Sequence, residues 1–168
     1  MDAGDLLEPP QRDALTDALM AASRHWAVEL HFQKGLAGGP PPIIAAARDT
    51  PMNPATADAF MLAIVASEEP PAFPCVAGHE PNLAAARRDA ARIEQAMAEL
   101  RKAVPRGGAY VAESGYFQAD WQRAYWGANY PRLLAVKQRY DPDGLFFIRH
   151  GVGSEEWSED GFTRIGGR

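Results

Sequence analysis

The sequence has very little cysteine and no surplus of positive charge. Cys75 is the single cysteine, so an internal disulfide cannot form, and no Cys/His spacing resembles a zinc site. A chain without disulfides suits a reducing compartment. Lys and Arg number 17 against 22 Asp and Glu, for a formal net charge of -5. We therefore expect no metal and no nucleic acid partner, since phosphate contacts need clustered positive charge.

Long apolar runs and nucleotide-binding motifs are also missing. No stretch approaches the roughly 20 apolar residues that span a bilayer, and the acidic N-terminal segment lacks the pattern of a signal peptide. We expect no membrane contact and a cytoplasmic location. G-x-S-x-G, P-loop and G-x-G-x-x-G motifs are absent. The glycine-rich stretch 34–39 lacks the strand-glycine-helix context of a phosphate-binding loop.

The apolar periodicity of the remaining sequence predicts an α+β fold, with a small antiparallel sheet and helices packed on one of its faces. A length of 168 residues suits one lobe covering 1–168, with a polar C-terminal tail at 150–168. The Gly- and Pro-rich stretch 34–54 reads as loop. The predicted helices lie at 9–25, 55–67, 83–104, 121–126 and 131–140, and the predicted strands at 28–32 and 109–114.

The outer face of the predicted sheet carries polar side chains. Glu29, His31 and Gln33 alternate with apolar residues on the first strand, and Tyr110 lies on the second. This face meets either solvent or a ligand. Taken alone, a histidine between apolar neighbours is more often a surface or packing residue, and a tyrosine is more often structural than catalytic.

A dense group of aromatic residues precedes the last predicted helix. The stretch "YWGANYPRLLAVKQRYDPDGLFF", residues 125 to 147, resembles the C-terminal signature of FAD-linked oxidases of the berberine bridge enzyme type, in the vanillyl-alcohol oxidase superfamily. Upstream, "WAVELHFQKGLAGG" and "AYVAESGYFQADWQ" are similar to strands of the same group, so the resemblance covers about residues 20 to 160. The matching signature positions are Tyr125, Gly127, Asn129, Tyr130, Arg132, Leu133, Lys137, Asp141, Pro142 and Phe146.

The resemblance implies the substrate-binding, C-terminal lobe of an FAD-dependent oxidoreductase. Such an enzyme transfers a hydride from a C–H bond of a small organic substrate to flavin N5. The relatives carry a large FAD-binding domain with a Gly-rich pyrophosphate loop, and the present sequence contains no such loop. We therefore expect that FAD is contacted but not tightly held by this chain alone, and that the partner is a separate FAD-binding subunit or a second copy.

The resemblance also implies roles for individual residues. Asn129, Tyr130 and Tyr125 are expected to contact the flavin, and Tyr130 or Tyr110 is the expected proton acceptor. The Y-x-N motif of many relatives reads Tyr-Val-Ala here, which weakens the case for Tyr110. Three further residues are candidates for lining the substrate pocket: His31, Gln33 and Glu113. The alternatives are a non-catalytic small-molecule-binding or dimerisation module, or the remnant of a truncated oxidase.

Overall fold

The computed structural model describes residues 1, 4–33, 36 and 39–166. Most of the predicted glycine-rich loop at 34–39 lies outside them. The elements of the described part are helices α1 Gly4–Leu7, α2 Pro9–Ser23, α3 Pro41–Arg48, α4 Leu83–Ala103, α5 Trp121–Trp126 and α6 Tyr130–Tyr140, and strands β1 Glu29–Phe32 and β2 Met61–Ile64.

The chain divides into two compact units, each built from two separate segments. The first comprises Met1–Gly35 and Ala59–Gly107, and the second comprises Leu36–Asp58 and Gly108–Arg168. That residues 1–168 act as one lobe stays a prediction.

The core of the first unit lies between α2, α4 and the sheet. Ala22 of α2 and Ala96 of α4 are fully buried, and Leu100 is nearly so. Small side chains at these positions let the two helices approach closely, while Ala63 of β2 packs against the same core. Helix α4 begins where the Asn82 side chain accepts the Ala85 N–H at 3.1 Å.

The sheet pairs β1 with β2 in antiparallel register, with Leu30 opposite Ala63 and His31 opposite Leu62. Because neighbouring residues of a strand point to opposite faces, Leu30 and Ala63 share the face that meets the helices. His31 and Leu62 share the other face. The α+β prediction, with helices on one face of a small antiparallel sheet, is thereby confirmed.

The prediction of a helix at 55–67 was wrong. This stretch forms a 3₁₀ turn, Pro54–Ala57, followed by β2. A short apolar run reads equally well as a buried helix or as a strand, and pairing with β1 decides the outcome here.

The prediction of a strand at 109–114 was also wrong. Residues Val111–Glu113 form a 3₁₀ turn, so Tyr110 and Glu113 do not lie on a sheet edge. The Ala109 N–H is bonded to the Ala124 carbonyl at 2.8 Å, which ties this segment to α5. Within the region predicted as loop, α3 is an additional helix. The predictions for α2, β1, α4, α5 and α6 are confirmed.

Candidate functional site

Five aromatic rings from the signature and the residues on either side of it gather in the second unit. Trp121 is their centre: it makes edge-on contacts with Trp126 at 5.9 Å and Tyr130 at 5.6 Å between ring centroids. His150 stacks on the same indole at 5.6 Å with 14° between the ring planes. Tyr125 contacts Trp126 at 5.4 Å. These geometries suit the quadrupoles of aromatic rings and join α5, the start of α6 and the segment around residue 150.

The Tyr130 hydroxyl both donates and accepts hydrogen bonds. Its O–H donates to the carboxylate of Glu155, at 2.6 Å and 2.7 Å from the two oxygens, and its oxygen accepts the Gly153 N–H at 3.1 Å. Burial, together with the hydrogen bond to the Glu155 carboxylate, raises the pKa of Tyr130 above its usual value. At neutral pH the hydroxyl is therefore a hydrogen-bond donor.

Asn129 donates hydrogen bonds to the end of α3 and to the segment that follows it. Its amino group lies 2.8 Å from the Thr50 carbonyl, 2.7 Å from the Met52 carbonyl and 3.4 Å from the Arg48 carbonyl. Arg132, one turn along α6, forms an ion pair with Asp49 of the same segment. The signature thus ties the start of α6 to residues 48–52.

Tyr125 is almost wholly buried, with 5% of its surface exposed. Its hydroxyl shares a hydrogen bond of 2.6 Å with Ser114 Oγ. The ring therefore packs inside the aromatic group instead of presenting a face to a ligand.

Asn53 is a functional-looking residue that the sequence argument recognised only as a helix cap. It is buried, its Oδ1 accepts the Ala55 N–H at 3.0 Å, and its Nδ2 donates to the carbonyls of Ala124 at 2.8 Å and Arg123 at 3.2 Å. A Cβ at Gly127 would come within 2.8 Å of Oδ1, and Gly127 has φ of +52°. Gly127, between the pair Tyr125 and Trp126 and the later Tyr130, was the available sign of a close backbone approach.

His150 stacks on Trp121 from a segment that follows α6. Its backbone has φ of +57°, a left-handed conformation that residues other than glycine seldom adopt. Burial and the nearby positive charge of Arg149 lower the pKa of His150. This strained histidine, like Asn53, is a residue of the candidate site that sequence reasoning missed.

A cleft of about 400 Å³ lies beside α6 in the second unit. It is flanked by two ion pairs, Lys137 with Asp141 and Arg164 with Glu156. Their charges neutralise each other, so these four side chains leave no unpaired charge to attract an ionic ligand.

The candidate pocket residues fall into both units. His31 and Gln33 belong to the first, where His31 Nε2 lies 2.5 Å from the Glu29 carboxylate, and both His31 and Gln33 are exposed. Tyr110 and Glu113 belong to the second unit and are exposed as well. The structure brings Tyr125, Asn129 and Tyr130 together in the second unit, and the roles of all seven residues stay predictions.

Contacts within the chain also bear on the residues implied as flavin contacts. The Asn129 amino group and the Tyr130 hydroxyl are engaged within the chain, and Tyr125 is buried. The predicted contact of these three side chains with an isoalloxazine ring stays a prediction. Among the described residues, no three potential metal ligands come together.

Comparisons with known proteins identify the class. Residues 99–153 match the family model "Berberine and berberine like". The VAO-type flavoprotein oxidase VAO615 of Thermothelomyces thermophilus is 42% identical over 48% of this chain and 14% of its own. The FAD-linked oxidoreductase notD' of Aspergillus versicolor is 48% identical over 33% of this chain and 9% of its own.

Solved structures extend the similarity to nearly the whole chain. The crystal structure of the VAO-type flavoprotein MtVAO615 from Myceliophthora thermophila C1 superposes with a TM-score of 0.72 and 27% identity, covering 94% of this chain and 27% of that one. MtVAO713 from the same organism has a TM-score of 0.66 at 20% identity, which supports the fold alone.

Residues 99–153 of the present chain are therefore similar to berberine-like domains, and the relatives that the chain resembles are FAD-linked oxidoreductases and VAO-type flavoproteins. The resemblance seen in the sequence is confirmed. The chain spans 14% or less of the curated relatives cited and 27% of the solved one. No described helix has the length and apolar character needed to cross a bilayer.

Proposed function

We propose that this chain is the substrate-binding, C-terminal lobe of an FAD-dependent oxidoreductase and acts on a small organic substrate together with a separate FAD-binding subunit. The observation that carries the proposal is the match over 94% of this chain to 27% of a VAO-type flavoprotein. When bound, FAD supplies a hydride acceptor at N5. A homo-oligomer of this chain is the competing arrangement, and it would serve a non-catalytic binding or dimerisation module.

Substrate recognition in this proposal uses the outer face of the sheet. His31 and Glu29 are exposed there, while Leu62 and Ile64 on the same face are half-buried. The short contact between His31 Nε2 and Glu29 orients the imidazole. A mixed face of this kind, with apolar area and a few oriented polar groups, suits a small organic molecule.

Proton transfer in this proposal involves Tyr130 or Tyr110. The Tyr130 hydroxyl points its proton at Glu155, so it can accept a substrate proton only as it passes its own to that carboxylate. Tyr110 is 46% exposed and can be approached directly. In the reconstituted enzyme, Tyr130→Phe should lower turnover by about 10²- to 10⁴-fold, the usual range for a lost general base. An unchanged rate would move this role to Tyr110 or to the partner.

Co-expression tests the proposed lobe directly. The tagged chain is purified together with the product of the adjacent reading frame, with each protein expressed alone as the control. We expect a yellow complex whose absorbance shows bound flavin. Colourless fractions in which the two proteins do not associate would refute the proposed function.

A further inference from the structure

The cleft beside α6 has a second wall, which is a hairpin near the end of the chain. The Ile165 N–H is bonded to the Glu156 carbonyl at 2.8 Å, and the Ser158 N–H is bonded to the Thr163 carbonyl at 2.7 Å. We call residues 156–166 the C-terminal hairpin. The cleft lies between this hairpin and α6, and both walls belong to the second unit.

The apolar lining of the cleft is held in place by close packing. The Trp157 ring lies so close to Gly144 that any side chain at 144 would clash with it. The Arg164 guanidinium lies 5.7 Å from the centroid of the same ring. Leu134 and Pro142 add further apolar surface. The cleft therefore offers a fixed apolar lining to a bound molecule.

The four charged side chains of the cleft are occupied by contacts within the chain. Lys137 pairs with Asp141 and also donates to the Phe146 carbonyl at 2.6 Å. Arg164 pairs with Glu156. An ion that enters the cleft would lose hydration without meeting an unpaired opposite charge on these side chains, and an uncharged molecule has far less hydration to lose. The cleft therefore favours an uncharged ligand.

Two uncharged groups of the cleft have hydrogen-bonding capacity to spare. The Gln138 amino group lies 3.3 Å from the Glu156 carboxylate. Because a carboxylate only accepts, the nitrogen of the amide faces it and the amide oxygen is left over as an acceptor. The indole N–H of Trp157 is a donor that is not buried, and neither group has a partner within the described part of the chain.

The size of the cleft suits a small organic molecule. Its volume of about 400 Å³ falls within the range of roughly 300–1,000 Å³ that is typical of ligand pockets. Such pockets combine apolar lining with a few polar groups that orient the ligand. Both features are present here.

We propose that this cleft binds an uncharged small organic molecule with an apolar body and with both a hydrogen-bond acceptor and a donor, such as an aromatic primary amide. The acceptor of the ligand meets the indole N–H of Trp157. Its donor meets the amide oxygen of Gln138, while its ring packs against Leu134 and Pro142. The site goes beyond the proposed function, because it uses neither FAD nor a partner chain.

The test titrates three probes of nearly the same shape into the full-length chain. Benzamide is uncharged, benzoate is an anion and benzamidinium is a cation. Binding is followed by NMR through the indole N–H signal of Trp157, which is assigned by its loss in Trp157→Phe. Benzamide should shift this signal saturably and should bind at least about tenfold more tightly than either ion, because the ions lose more hydration.

A matched pair of variants tests the acceptor. Gln138→Leu removes the amide oxygen from an exposed position of α6, and it should raise the Kd of benzamide by about two- to tenfold, as expected for one neutral hydrogen bond. Gln95→Leu is the control, since Gln95 is exposed on α4 in the first unit. The control should bind benzamide as the wild type does. The dispersion of the amide signals verifies that both variants fold.

Four outcomes would overturn the site. They are the absence of a saturable shift with benzamide, an equal Kd for the three probes, tighter binding of benzoate or benzamidinium, and an equal loss in Gln138→Leu and Gln95→Leu. None of them bears on the formation of a yellow complex with an FAD-binding subunit. The proposed function is therefore tested separately from this site.

Discussion

The Tyr130 hydroxyl donates to Glu155 at 2.6 Å while it accepts the N–H of buried Gly153 at 3.1 Å. One side chain at the start of α6 thus anchors the turn that contains residues 153 to 155. Its ring meanwhile packs edge-on against Trp121. This part of the signature therefore has an internal structural role that can be measured without any flavin.

Removing this hydroxyl should destabilise the fold. Tyr130→Phe leaves the ring contact in place, and we expect the free energy of unfolding to fall by about 1–3 kcal/mol, because a charged hydrogen bond is lost and the Gly153 N–H loses its acceptor. Urea denaturation of the isolated chain gives the value. Tyr140→Phe is the matched control, since Tyr140 is 74% exposed. Equal losses for both variants would contradict the anchoring role.

Glu155 should control the ionisation of Tyr130. Burial is the largest cause that raises the pKa of Tyr130, and the hydrogen bond to Glu155 is the next. The stability that this tyrosine contributes is then fully present below about pH 10, its unfolded pKa, and is lost as the pH rises towards the folded value. Glu155→Gln should shift the ionisation of Tyr130 to lower pH. The ionisation of Tyr130 is followed by tyrosinate absorbance against pH, after subtraction of the curve of Tyr130→Phe. The same Tyr130 curve with Glu155 and with Gln at 155 would exclude Glu155 as a cause of the raised pKa.

His150 should make the fold sensitive to mild acid. Burial, with the charge of Arg149 as a second cause, lowers the pKa of His150. A depressed histidine contributes stability that is present above its unfolded pKa of about 6.5 and is lost as the pH falls through the folded value. His150→Asn tolerates the left-handed backbone and does not titrate. We expect its stability to change less between neutral and mildly acidic pH than that of the wild type, as followed by thermal unfolding, and parallel curves would rule this out.

Asn53 should matter more than an ordinary cap. Asn53→Ala removes three hydrogen bonds at a buried position, one from the Ala55 N–H and two to the carbonyls of Ala124 and Arg123, and we expect a loss of about 3 kcal/mol in the free energy of unfolding. Asn82→Ala is the control, because Asn82 caps α4 from an exposed position. The control should lose about 1 kcal/mol, the usual cost of a missing cap. A smaller loss at 53 than at 82 would refute the internal role.

Local signals in the sequence were sufficient for α2, α4, α5, α6 and β1, and insufficient for α3 and β2. Helix α4 follows three- and four-residue apolar steps and carries its own cap, so its bounds were predictable. Strand β2 was wrongly predicted as a helix, because its apolar run shows no alternation of polar and apolar residues. Pairing with β1 determines that it is a strand. The segment 109–114 alternates like a strand, yet the Ala109 N–H is bonded to a helix carbonyl, that of Ala124, and the Glu113 N–H is bonded within the segment to Tyr110.

The candidate site shows the same division. The signature predicted that Tyr125, Asn129 and Tyr130 act as a group, and the structure brings them together. Their partners were out of reach of sequence reasoning, because Asn129 bonds residues about 80 positions earlier and Tyr130 bonds one 25 positions later. Periodicity reports neighbours within a helix or strand and carries no information about such distant pairs.

The two-segment construction of the second unit bears on how the chain is made. Residues 36–58 leave the ribosome early, but their partners in the same unit begin only at residue 108. At a synthesis rate of about 5–20 residues per second, this early segment waits for several seconds before Asn53 and the carbonyls bound by Asn129 can be engaged. Residues 36–58 therefore depend on partners at 123–129 that are made later. A premature stop before Arg123 would leave residues 36–58 without these partners and make them a target for chaperones and proteases.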